Sequence, residues 1–150
     1  MLELYNAGTE QARVLALLIQ AKGLDVKLHP YDCEFAEHLG EPEPVIHDRG
    51  HTVIGAMVIA LYLEQRYPSP NLLPQDPQQA SIVLMLFRAI LRHPELVQFH
   101  EYRTHLTAHK FVAGDRSNLV DVAVSALAPD NNFWEGYRSR LIENWGSFNE

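Results

Sequence analysis

The residues of this chain that could do chemistry are few and widely spaced. Thr9 carries a hydroxyl within Gly8-Thr9-Glu10, where a helix can open. Its oxygen suits a helix cap, and no His or Lys stands beside it as the base that a threonine nucleophile needs. Cys33 is the single thiol, so it has no partner for an internal disulfide or a CxxC redox pair. Its neighbours Asp32 and Glu34 oppose thiolate formation, and it reads as a small, partly buried residue. Glu101, His105 and His109 recur at i, i+4 and i+8, one helix face and the spacing of a transition-metal clamp. A solvated polar face accounts for them at least as well, and no metal is assigned. The run His100-Glu101-Tyr102-Arg103-Thr104-His105 holds one residue more than a zinc-protease H-E-x-x-H, which turns its second histidine off the face. Two further residues stand at strand ends. Tyr5 reads as a half-buried sheet residue, and Pro44 opens a strand before Val45.

The elements that must carry these residues follow from periodicity and punctuation. Leu2–Tyr5 is a short strand, broken by Gly8 and Thr9. A helix then opens at Thr9 or Glu10, with Val14, Leu15, Leu17, Leu18 and Ala21 as its apolar face and Gly23 as its stop. Over Asp25–Tyr31, Val26, Leu28 and Pro30 alternate with Lys27, His29 and Tyr31, the pattern of a second strand. A β-α-β opening implies a parallel pair with a right-handed crossover. Cys33–Leu39 reads as a short helix closed by Gly40. Pro44–His47 and Thr52–Ile54 flank an Asp48-Arg49-Gly50 turn at the spacing of a tight hairpin, and Ala56–Tyr67 is helical. The order βαβαββα over residues 1–67 is that of a thioredoxin-like α/β domain.

Pro68, Pro70, Pro74 and Pro77 then mark residues 68–77 as a linker, since so many prolines exclude helix and central strand. No strand pattern returns after it. Gln78–His93 is a helix that is apolar nearly all round between Ile82 and Leu91, so burial on more than one side is expected. Glu95–His109 follows as a second helix. A third opens at Asn118, whose side chain can accept from a first-turn amide while Asp121 reaches back to the cap. Phe133–Trp145 is a last amphipathic helix. Residues 78–150 thus form a shortened all-α C-terminal domain.

Composition narrows the function classes. The 150 residues are 47% hydrophobic and 21% charged, so a globular core can form. With 12 basic against 19 acidic residues the net charge is −7, which leaves nucleic acid and anionic membrane without an electrostatic footprint. The apolar stretch Val14–Ile19 is too short to span a bilayer, and no charged leader precedes it. A single cysteine fits a reducing compartment, so a cytoplasmic location is expected.

Several motifs, in order and over essentially the whole chain, resemble those of the glutathione transferases and their non-enzymatic relatives, including the stringent starvation protein A type. They are Lys22-Gly23-Leu24, Pro44-Val45 (where the family has a cis-proline), and Tyr62-Leu63-Glu64-Gln65-Arg66-Tyr67-Pro68. Asn71-Leu72-Leu73-Pro74 with Asp76-Pro77 is similar to the family's linker. Gly114-Asp115 followed by Asn118-Leu119-Val120-Asp121 resembles its G-D-x-x-S-L-A-D helix cap, and Trp145-Gly146-Ser147-Phe148 its R-P-S-F close. The resemblance implies a glutathione transferase-like fold and places the glutathione-site positions at Pro44, Val45, Gly55 and Ala56. It also implies a homodimer packed through the Ile82–Leu91 helix.

Three departures bear on activity. The family's E-S-R-A-I falls on Gly55-Ala56-Met57-Val58-Ile59, so the Glu-Ser pair that holds the γ-glutamyl carboxylate and amine is missing. Losing one or two charge-assisted bonds of roughly 1.5–3 kcal/mol each weakens glutathione by powers of ten. The position of the family's catalytic serine or cysteine falls on Ala12, while that of its catalytic tyrosine falls on Tyr5. Finally, residues 78–113 are too few for the family's two long helices.

Two readings follow. The first is a non-catalytic binding or regulatory protein of the stringent starvation protein A type, needing no cofactor and binding glutathione weakly. RNA polymerase is then the analogous partner, with Pro68, Ser69 and Pro70 as the partner loop. The second is a minimal glutathione transferase that conjugates glutathione to small electrophiles, with Tyr5 or Thr9 stabilising the thiolate.

Overall fold

The computed structural model describes residues 2–29, 43–98, 116–128 and 134–139. The chain divides into two compact units, 1–68 and 69–150.

In the first unit the elements run β1 (Leu2–Tyr5), α1 (Glu10–Ala21), β2 (Val26–His29), β3 (Val45–Asp48), β4 (His51–Ile54) and α2 (Ala56–Arg66). They form a four-stranded sheet of order β2-β1-β3-β4. β1 and β2 are parallel, and α1 supplies the crossover that a parallel pair requires. β3 runs antiparallel to both β1 and β4. Arg49 and Gly50 join β3 to β4 with φ of 53° and 82°, the two-residue turn whose twist matches a hairpin. Thr9 caps α1 by accepting from the Ala12 amide, and Gly23 at φ 70° turns the chain out of it.

Residues paired across strands share a sheet face. Leu2, Leu4, Ile46 and Val53 are buried on one face with Ala12, Val14, Leu15, Leu18 and Ile19 of α1 and Ile59, Ala60 and Leu63 of α2. Glu3, Tyr5, His29, His47 and Thr52 lie on the other face. The alternation expected for the second strand does not bury Leu28, which is 52% exposed. Among the described residues β2 is the outer strand of the sheet, and β1 is the one strand that flanks it. The helix expected at Cys33–Leu39 lies outside the described residues.

In the second unit α3 (Pro77–Arg92) is followed by a 3-10 turn at Pro94–Gln98 and by α4 (Leu119–Leu127). Residues 134–139 are also helical. Asp76 caps α3 through the Gln79 amide, with Pro77 in the first helical position. The burial on more than one side expected for Ile82–Leu91 is not met within the single chain: Val83, Phe87, Ile90 and Leu91 are buried, while Ile82 and Met85 are 50% and 65% exposed. Consecutive residues step about 100° round a helix, so a continuous apolar run must present some members to solvent when only one stripe is packed. The enclosed helix is α4, in which every residue from Leu119 to Ser125 is buried. Its expected cap is present: Asn118 accepts from Val120 N at 2.8 Å, and Asp121 accepts from Asn118 N at 3.0 Å. The second Asp121 oxygen accepts from the Tyr137 hydroxyl at 2.6 Å, and Leu119 N donates to Leu72 O, which ties the proline-rich segment to the helix start. The helix expected from Glu95 begins as the 3-10 turn, and its remainder lies outside the described residues.

Candidate functional site

Three strands end together, and their flanking residues meet there. Tyr5, last in β1, pairs with Val45, first in β3, which pairs with Ile54, last in β4. Asn6, Pro44 and Gly55 are therefore neighbours by register. Asn6 adopts φ 60°, a conformation that asparagine tolerates better than most residues, and is 5% exposed. Its Nδ2 donates to Glu43 O at 2.6 Å. Pro44 O in turn accepts from Gly55 N at 3.0 Å. A short network thus ties the starts of α1 and α2 to the segment entering β3.

Thr9 belongs to this network, and its hydroxyl is engaged twice. It donates to Asn6 O at 3.2 Å and accepts from Ala12 N at 3.1 Å. The register turns Tyr5 to the sheet face opposite Leu4, where its ring stacks on His29 (4.4 Å between centroids, 9° between planes). His47 meets the same ring edge-on at 5.0 Å. Beside them His29 Nε2 lies 3.2 Å from Glu3 Oε1, and His47 Nδ1 lies 2.7 Å from Thr52 Oγ1.

Pro44 and Val45 are buried at the entry to β3. Gly55 holds φ 98°, where any L side chain is strained, and precedes α2 with no side-chain cap bond. Ala56, 6% exposed, begins the helix. Neither residue has a polar side chain, so Gly55 and Ala56 themselves offer a ligand only backbone amides. A Cβ added at Gly55 would lie 3.7 Å from Glu43 Oε2.

The structure thus brings Thr9, Pro44, Val45, Gly55 and Ala56 to one end of the sheet and sends the Tyr5 ring onto the polar face. Pro68 follows the opposite end of α2, so it is about 16 Å of helix from Gly55. In the expected partner loop Pro68 and Ser69 are exposed and Pro70 is buried. Among the described residues the cis peptide bond is Ser69–Pro70, and the cis bond expected at Pro44 is not found. Cys33, Glu101, His105 and His109 lie outside the described residues. Among the described residues no group of three His, Cys, Asp or Glu is placed to hold a metal ion.

Sequence reasoning missed three features. Asn6 gave the weak signal of an Asn-Ala-Gly break. Asp48, 3% exposed, accepts from Tyr62 OH at 2.6 Å and Tyr67 OH at 2.8 Å. Burial alone would raise its pKa, but the two phenols, with Arg49 and Arg66, hold the carboxyl below its ordinary range. The bond to Asp48, then burial, pushes Tyr62 up to about 12. Lys22 and Glu64 form a buried ion pair at 2.9 Å between the end of α1 and α2. Burial lowers the Lys22 pKa, and Glu64 opposes that shift. The KGL and YLEQRYP motifs therefore meet in space, where sequence showed them only as separate signatures.

A recess of about 650 Å³ lies elsewhere, in the second unit, lined by Asn71–Asp76, Gln79 and Arg116–Asn118. Its polar groups are largely spent on structure: Asn71 accepts from Leu73 N, Asp76 caps α3 and Asn118 caps α4. Convergent chemistry favours the sheet end.

No family model matches the chain. Maleylacetoacetate isomerase of Mus musculus is 31% identical over an 81-residue match covering 47% of this chain and 38% of that protein. The match thus spans well under half of the curated relative. Among solved structures, a glutathione S-transferase from Rhodospirillum rubrum superposes with a TM-score of 0.70 at 21% identity, covering 98% of this chain and 87% of that one. Maleylacetoacetate isomerase from Anaeromyxobacter dehalogenans, with glutathione bound in its active site, gives 0.60 at 19% identity over 96% and 89%. A glutathione transferase from Drosophila melanogaster gives 0.66 at 16% over 99% and 96%. At these identities the likeness is one of fold. The chain has the glutathione transferase fold, a thioredoxin-like unit followed by a short helical one.

Proposed function

We propose that this chain, built on the glutathione transferase fold, holds glutathione weakly where β3 meets α2 and does not conjugate it. It is a binding or regulatory protein. The observation that carries the reading is the Thr9 hydroxyl. Its proton is directed to Asn6 O at 3.2 Å and its lone pair takes the Ala12 amide, so donating to a thiolate would mean giving up the Asn6 bond. Tyr5 supports the same reading, since its ring is packed between two histidines on a sheet face. Gly55 and Ala56 account for weakness, because the backbone there can meet a ligand but the side chains offer nothing polar.

The test is calorimetric titration with glutathione, alongside a conjugation assay with an activated aryl chloride. Binding in the high micromolar to millimolar range with no rate above the uncatalysed reaction is expected. Turnover abolished by Thr9→Val or Tyr5→Phe would overturn the reading in favour of the second one, a minimal transferase. That alternative draws support from the 31% identical stretch shared with an isomerase. Pro68 and Ser69 are exposed, which does not single out RNA polymerase, and that partner is not part of the proposal.

The protein is further proposed to be a homodimer. Exposed Ile82 and Met85 on α3, one helical turn apart, are the large apolar side chains that support it.

A further inference from the structure

We infer that the recess of the second unit is a second binding site, for a short peptide with free ends whose ammonium group meets Asp76 and whose carboxylate meets Arg116. It is independent of the ligand proposed at the sheet end. Two segments form its banks, the proline-rich stretch that leads into α3 and the residues that lead into α4. Leu119 N ties the banks together by donating to Leu72 O at 2.9 Å. The volume of about 650 Å³ falls within the ~300–1,000 Å³ of small-ligand pockets. The structural bonds of the lining use oxygen and leave nitrogen. Asn118 Oδ1 accepts from Val120 N at 2.8 Å, and Asn71 Oδ1 accepts from Leu73 N at 3.2 Å. A backbone amide only donates, so these bonds fix which end of each side chain is oxygen and leave Nδ2 with its two N–H groups. Among the described residues neither Nδ2 has an acceptor. Asn118 is 4% exposed, its amide nitrogen is not sealed from solvent, and the residue lines the recess. That buried donor therefore faces the space a ligand would fill.

Charge completes the pattern. Arg116 and Asp76 both line the recess, and among the described residues neither is in an ion pair, with the other or with a third group. Asp76 accepts from the Gln79 amide through Oδ2 at 3.1 Å, which leaves its other oxygen. Opposite charges that share a recess without closing on one another favour a ligand that brings both signs. A simple anion is repelled by Asp76 and a simple cation by Arg116. Peptide carbonyls supply the acceptors that the two asparagine nitrogens lack. Buried Leu72, with Leu73 and Pro74, gives a wall for small apolar side chains.

The full chain is titrated calorimetrically with trialanine, with N-acetyl-trialanine, which lacks the ammonium group, and with trialanine amide, which lacks the carboxylate. Trialanine is expected to bind in the millimolar range or tighter. Each blocked form should bind roughly tenfold to a hundredfold more weakly, the range of one charge-assisted bond. Arg116→Gln should bind trialanine and its amide alike. Asp76→Asn should bind trialanine and its N-acetyl form alike, and an asparagine keeps the cap of α3. Asn118→Ser, which keeps a capping oxygen without the amide nitrogen, should weaken all three peptides. The wild-type titrations need no variant, and far-UV circular dichroism checks that each variant folds. Absence of trialanine binding by wild type at millimolar concentration overturns the inference. So does equal affinity of wild type for the three peptides, or a preference for free ends that survives both Arg116→Gln and Asp76→Asn.

Discussion

At Asp48 a carboxylate that is almost wholly buried accepts two phenolic hydroxyls from α2 and the residue that follows it, pinning the β3–β4 hairpin to the helix. Bonds to a charged acceptor are the stronger kind, so Tyr62→Phe should cost about 1.5 kcal/mol, allowing for its partial exposure. Tyr62→Phe combined with Tyr67→Phe should cost more than the sum of the singles, because either phenol alone still satisfies the carboxylate and the pair does not. Urea unfolding of the four proteins measures both effects. The pH dependence has a definite sign on each side. Asp48 has its folded pKa lowered, so its contribution is complete above the ordinary carboxylate value near 4 and is lost as pH falls through the lower folded value. Tyr62 is raised to about 12, so its contribution is complete below the ordinary phenol value near 10 and is lost as pH rises through 12. The stability gap between wild type and Asp48→Asn should therefore be widest at neutral pH and narrow at both extremes.

Between elements, the ion pair of Lys22 with Glu64 joins the last turn of α1 to α2, with side-chain exposures of 0% and 6%. Removing one partner strands a buried charge, so Lys22→Met should cost about 3–5 kcal/mol, while Lys22→Met with Glu64→Leu should recover most of that loss. A thermal melt of the double variant no better than that of the single one would show that the pair is held for reasons other than mutual neutralisation. The cap of α4 works by the same economy of buried polar groups. Asp121 accepts from Asn118 N with one oxygen and from Tyr137 with the other, so a helix buried from Leu119 to Ser125 begins with its acidic residue satisfied twice. Both motifs could be read as signatures in the chain. Their partners across space could not, because hydrogen bonding to Tyr137 or pairing with Glu64 has no short-range sequence period.

For the whole molecule, the composition of α3 is the deciding feature. Its apolar run was expected to be buried on more than one side and to pack against a second copy, and Ile82 and Met85 stand at the surface of the single chain. A second copy of the chain is the proposed cover. Sedimentation at tens of micromolar should give a species of twice the chain mass, and Ile82→Glu with Met85→Glu should return it to the single-chain mass with an unchanged circular dichroism spectrum. A wild-type protein that sediments as a single chain at that concentration would remove the dimer from the proposal.

Local chemistry was sufficient for much of the fold. Thr9, Asp76 and Asn118 cap helices because a short polar side chain before an apolar periodic run has an orphan amide within reach. Arg49-Gly50 turns the hairpin because both of its residues must take positive φ and glycine is free to. The absence of polar side chains at Gly55 and Ala56 was likewise plain from the residues themselves. What only the tertiary structure decided is which groups face one another. It engaged the Thr9 hydroxyl at both ends and set the Tyr5 ring flat on His29 and edge-on to His47. It also set the Glu43 carboxylate beside Gly55, twelve positions along the chain, because three strand ends meet there and side-chain proximity across a sheet is a matter of register rather than of spacing.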